Sequence, residues 1–212
     1  MTFADPSSLI AESIQQQVLH PGSRALFRYW ETLRAERGCP DREQINLREI
    51  KDILPSLFIL DRDTAADSFR YRLSGTMIDR LGGMNMTGCD ILVGWDMFER
   101  DVILRALRVA HEKLQPAIVR MRLFTDLNEI VGAEMIALPV KKRSGDDIEL
   151  VGGLFPFTDL TRIAFEKISH RQLVTTRTIW TEHVSASGDL APVPKPPKSS
   201  TPLRVIQGGR TV

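Results

Sequence analysis

Apolar residues return along this chain at two spacings, and the change from one to the other marks out its elements. Behind Ser8, a capping residue, Leu9, Ile10, Ile14 and Val18 follow a helical stripe that Pro21-Gly22 ends. Behind Ser23, Leu26, Tyr29, Trp30 and Leu33 repeat the pattern, and Gly38-Cys39-Pro40 stops it. Residues 41–55 read as an extended lead into a short helix closed by Pro55. The spacing then shortens to two. Leu57-Phe58-Ile59-Leu60 predicts a strand, Asp61 to Ser68 a polar turn, and Phe69-Arg70-Tyr71-Arg72-Leu73 a strand with one apolar face.

Thr76 to Leu81 reads as a short helix broken by Gly82-Gly83. Ile91, Leu92, Trp95, Met97 and Phe98 form an irregular apolar cluster, and residues 98–113 give the clearest helix. Three strands follow, over 117–125, 130–140 and 148–157, separated by polar turns. The expected fold class is therefore α+β: an antiparallel sheet with helices on one face, preceded by N-terminal helices. Those leading helices suit packing on the sheet or on the same element of a second copy. Residues 159–169 could form a short helix, and 172–180 a strand or an extended arm. The division that results is an N-terminal helical extension over 1–44, a domain over 45–157, a short helix and extended segment over 158–184, and a Pro/Ser-rich basic tail over 185–212 that reads as disordered.

Composition changes this picture little. The 212 residues are 42% hydrophobic and 26% charged, enough for a sizeable core. The formal net charge is +1, which points to no bulk attraction to nucleic acid. The distribution is less even. Residues 160–212 carry eight basic against three acidic side chains, a net of +5, which leaves −4 on residues 1–159. No apolar run reaches the roughly 20 residues of a membrane helix, and the N-terminus has no secretory pattern. A cytoplasmic protein without membrane insertion is the expectation. Cys39 and Cys89 are far apart and match no metal or redox spacing.

From Ala25 to Phe157 the chain resembles the single-domain PAS-like family common in alphaproteobacteria. The resemblance rests on Tyr29-Trp30, the Leu54-Pro55 break, the run Phe69-Arg70-Tyr71-Arg72-Leu73-Ser74-Gly75-Thr76, then Leu81-Gly82 and Met86-Thr87-Gly88. It implies a five-stranded antiparallel sheet with helices enclosing a pocket on one face, and a role in sensing, scaffolding or dimerisation, usually without catalysis. Where members continue Thr-Gly with Arg, this chain has Cys89-Asp90, so any role of that arginine is in doubt.

The candidate ligand pocket lies under the helical cover, at Met77, Leu81, Met84, Met86, Trp95, Met97 and Phe98. Methionines there suit an adaptable ligand site and equally an ordinary core. Met84, Met86 and Cys89 offer soft sulfur but no convergent set, so no metal is expected. His111 lies near where haem-binding PAS domains place an iron ligand, yet beside Glu112 and Lys113 it reads as the exposed end of a helix. The sequence context of flavin photosensors is absent. No cofactor is expected.

Arg70 and Arg72 share a strand face that is either salt-bridged to its surroundings or uses an arginine to hold the corner at Arg72, Gly75 and Thr76. Gly152-Gly153, inside a strand, marks a bulge or a close backbone approach. No hydrolase or transferase arrangement and no phosphate loop stands out. The reading is a non-catalytic signalling or scaffold module, a homodimer that also contacts a signalling protein, with Leu26, Tyr29, Trp30 and Leu33 as the contact face, partly exposed in the monomer. A small-molecule sensor is the alternative, and an enzyme of unknown class a further one.

Overall fold

The computed structural model describes residues 17–34, 38–143, 147–158 and 167–181. The helix expected behind Ser8 and the tail over 185–212 lie outside the described residues. Helix α1 spans Pro21–Arg34, and a short 3-10 turn at Lys51–Ser56 leads into strand β1, Leu57–Asp63. Strand β2, Ser68–Ser74, completes the hairpin. Helix α2, Thr76–Gly82, and helix α3, Met97–Lys113, cross to β3 (Ala117–Thr125), β4 (Ile130–Lys141), β5 (Ile148–Pro156) and β6 (Ile168–Thr178).

All six strands belong to one antiparallel sheet in the order β2-β1-β5-β4-β3-β6. The first five are the strands expected from the sequence pattern. The sixth is the Val/Thr-rich segment after residue 167, which takes the strand alternative and extends the sheet beside β3. β4 and β5 run buried on both faces, so they read as continuous apolar runs.

That burial has a physical cause: both sheet faces are covered. On the inner face, Phe58, Leu60, Tyr71, Val119, Met121 and Met135 pack against Leu81 of α2 and Ile103, Leu107 and Ala110 of α3. On the outer face, Leu57, Ile59, Ile118, Ile136, Leu138 and Val151 pack against Leu26, Phe27 and Trp30 of α1.

This placement corrects the expectation of a partly open stripe on the leading helix. Leu26 and Trp30 are 2% and 3% exposed, because the chain's own sheet covers them, while Tyr29 and Leu33 stay half-buried at the rim. The Trp30 indole N–H also donates to the Pro139 carbonyl at 2.8 Å, fixing the helix along β4. Gly152 meets the close approach expected of it. A Cβ there would lie 2.3 Å from the Ile136 carbonyl oxygen and 2.4 Å from the Phe58 ring.

Candidate functional site

Two places concentrate unusual chemistry: the space between the inner sheet face and the helices, and a polar clasp on the outer face. The inner cavity is lined mostly by apolar side chains, among them Ile78, Leu81, Met86, Trp95, Met121 and Met135, and measures about 30 Å³. That is room for about two water molecules. Among the described residues, Tyr71 and Arg171 bring long polar side chains to this lining. Burial pushes the Tyr71 hydroxyl up to about 12, against the pull of the Arg171 charge.

Of the residues expected to line a pocket, Leu81, Met86 and Trp95 do so. Met77 is buried in the same core without lining the cavity. Met84, Met97 and Phe98 are 58%, 69% and 75% exposed, which corrects their place in the pocket. Helical geometry explains two of the three. The buried face of α3 is Ile103, Ala106, Leu107 and Ala110, and its continuation toward the N-terminus reaches Glu99. Phe98 and Val102, one turn apart, therefore share the open side. Asp96 caps the helix, accepting from the Phe98 N–H at 3.1 Å, so the helix starts at Met97 with its first side chains in solvent.

The strand-to-helix corner is built differently from the expected arginine bracket. Arg72 reaches a carboxylate, Glu149 on β5, at 3.0 Å, where Arg42 also binds at 2.8 Å. Glu149 is 1% exposed and belongs to the outer face, away from the Gly75-Thr76 turn. The turn itself is held by Asp79, whose Oδ1 accepts from the Ser74 hydroxyl and from the Met86 N–H at 2.9 Å. Gly75 donates its N–H to the Leu57 carbonyl at 2.8 Å and lies so close to Pro55 that a Cβ would meet the Pro55 oxygen at 2.3 Å. Thr76 is the first residue of α2.

The clasp on the outer face was not foreseen. Glu134 is fully buried on β4, opposite Arg120 on β3. One carboxylate oxygen accepts from Arg120 Nε at 2.9 Å and from the Leu19 N–H at 3.1 Å, and the other accepts from the His20 N–H at 2.9 Å. Arg120 also donates to the Gln17 carbonyl. His20 accepts from the Gly22 N–H at Nδ1 and stacks on Phe155, with ring centroids 5.2 Å apart. Burial lowers the His20 pKa, with Glu134 pulling the other way. The signal for the clasp is Glu134, a lone charge in the strand over 130–140, and Arg120, one of two arginines in the strand over 117–125.

His111 packs its ring edge on Phe69, with centroids 5.9 Å apart, and faces a surface cleft of about 290 Å³ with Arg62, Lys142 and Asp147. The cations of that cleft are engaged, Arg62 by Asp67 and Lys142 by Asp61 at 3.0 Å. Burial lowers the His111 pKa. Among the described residues no three His, Cys, Asp or Glu side chains are grouped to hold a metal ion, and no helix is long and apolar enough to cross a membrane.

Residues 18–155, more than half of the chain, match the sequence family described as PAS domain. No curated protein matches the chain.

Proposed function

Because this chain belongs to the PAS-domain family, we propose that it works as a non-catalytic cytoplasmic signalling module, through a homodimer and contacts with another signalling protein. The observation that carries this reading is the inner cavity, which at about 30 Å³ is tightly packed between sheet and helices. Signal transfer then falls to surfaces. Met97, Phe98 and Val102 stand exposed on the open side of α3 and supply apolar contact area, with Tyr29 and Leu33 at the rim of α1 as a second region.

The test combines sedimentation equilibrium with native mass spectrometry of gently purified protein. The expected result is a dimer at micromolar concentration with no small molecule bound, and a monomer of unchanged thermal midpoint for Met97→Ser with Phe98→Ser. A strict monomer that recovers no partner protein would overturn the reading.

A second reading, a small-molecule sensor, is favoured by Tyr71 and Arg171, two hydrogen-bonding residues in a mostly apolar lining. Met86, Met121 and Met135 are adaptable side chains that can repack around a guest. A bound species of defined mass, lost on Tyr71→Phe, would support it.

A further inference from the structure

The two edges of the sheet are treated differently. Along β2 the segment 88–91 closes the edge with main-chain bonds: Tyr71 N–H to the Cys89 carbonyl at 3.0 Å, Gly88 N–H to the Tyr71 carbonyl at 2.7 Å, and Ile91 N–H to the Phe69 carbonyl at 2.9 Å. Along β6, 11 residues long and free of proline, β3 is the only strand partner among the described residues. Among the described residues no main-chain segment seals its other side. Such an edge offers a row of donors and acceptors to an added strand.

The chemistry along this edge selects the occupant. From Lys167 to Thr181 the chain carries Lys167, His170 and Arg177, with Arg171 turned to the Val93 carbonyl at 2.8 Å, and no acidic residue. Arg122, exposed on the neighbouring β3, lies opposite Gln172 and adds another cation. One donor of the strand is already held by a carboxylate, since the Leu173 N–H donates to Glu99 Oε1 at 2.8 Å. A second copy suits the edge poorly, because antiparallel pairing of two β6 strands sets bases against bases or against neutral residues and never against an acid. The chain's own tail over 182–212 is basic as well, with two lysines and two arginines against two acids.

We propose that the edge of β6 that no strand pairs, where Glu99 holds the Leu173 N–H, docks an extended acidic segment of another protein, which adds beside it as a further strand. This surface is separate from the open side of α3 and does not depend on dimerisation. Main-chain pairing supplies the adhesion, and the cations set the preference for acidic side chains.

The test uses the full chain and a fluorescein-labelled 12-residue peptide alternating glutamate with valine and threonine, read by anisotropy. A peptide with lysine in place of glutamate is the control. The acidic peptide is expected to bind at least tenfold more tightly, and more weakly as salt rises. Val174→Pro is expected to weaken binding at least tenfold. Val174 is 56% exposed and sits at the bulge, without a β3 partner, where proline is tolerated. Should that variant fail to fold, Arg122→Glu with Arg177→Glu decides, and is expected to abolish the acidic preference. Equal binding of the two peptides, or acidic binding unchanged by these substitutions, would overturn the proposal. So would a dimer that Val174→Pro dissociates, or displacement of the probe by a synthetic peptide of residues 182–212, which would assign the edge to a second copy or to the tail.

Discussion

Replacing Glu134 by glutamine tests the clasp that ties the approach to α1 onto the sheet. The carboxylate is fully buried and takes three donors, Leu19 N–H, His20 N–H and Arg120 Nε. Glutamine keeps one acceptor oxygen and turns an NH₂ group toward the remaining donors, leaving the Arg120 charge uncompensated at 14% exposure. Breaking one side of a buried ion pair costs about 3–5 kcal/mol. Leu19 and His20 are within reach of water, which recovers part of the loss, so the expected cost is about 3 kcal/mol. With a urea slope of about 2 kcal/mol/M, the midpoint falls by about 1.5 M.

A double variant sharpens the test. Substituting leucine at both Arg120 and Glu134 would nearly restore a plain buried ion pair. Here it leaves the Leu19 and His20 N–H groups and the Gln17 carbonyl without their partners, so the double variant is expected to remain at least about 1–3 kcal/mol below the wild type. Hydrogen exchange should quicken first in residues 17–34, before the sheet. A loss under about 1 kcal/mol in Glu134→Gln, or full recovery in the double variant, would refute the clasp as a tie between residues 17–20 and the sheet.

Two other outcomes follow from the geometry. Gly75→Ala should destabilise by about 1–3 kcal/mol in urea unfolding, because the added methyl meets the Pro55 main chain, which cannot rotate away as a side chain would. The sign is informative, since Gly75 has φ −73 and ψ 156, a conformation in which alanine would otherwise stabilise by about 0.4–1 kcal/mol. The histidines set an acid slope. His20 and His111 have lowered pKa values in the folded protein, so as pH falls through 6.5 the unfolded chain takes up protons first and stability is lost. The thermal midpoint should drop between pH 7 and 5.5, and His20→Gln with His111→Gln should flatten that drop; an unchanged slope counts against both assignments.

Much of the sheet was legible because period-two alternation and polar turns are local signals. Ala117–Thr125 and Ile130–Lys141 fall where the pattern sets them. β6 was only half legible: its burial is irregular, with exposed residues on both sides of an edge and two bulges in the β3 pairing, so it presents no clean alternation. The apolar stripe of α1 was legible as a stripe, but whether a sheet or a second copy covers it depends on tertiary packing. For the site, Met97 and Phe98 belong by composition to an apolar cluster, and their exposure follows from where Asp96 starts the helix. The Arg120–Glu134 pair needs the β3–β4 register, which places them opposite each other; each alone reads as one charge within a strand.

The order of strands also sets when this domain can form. β1 pairs with β5, and Leu57 lies opposite Gly153, 96 positions later in the chain. A ribosome adding about 5–20 residues per second needs on the order of 5–20 s to cover that interval. Through it the β1–β2 hairpin exists without its inner neighbour, with Phe58, Ile59 and Leu60 uncovered. The β3–β4–β5 meander closes over short turns and can assemble first, and the hairpin then docks on its far edge. The slow event in biosynthesis is thus the return of the chain's last third to its first, and a nascent chain stalled before residue 150 presents an apolar strand to whatever chaperone stands at the exit.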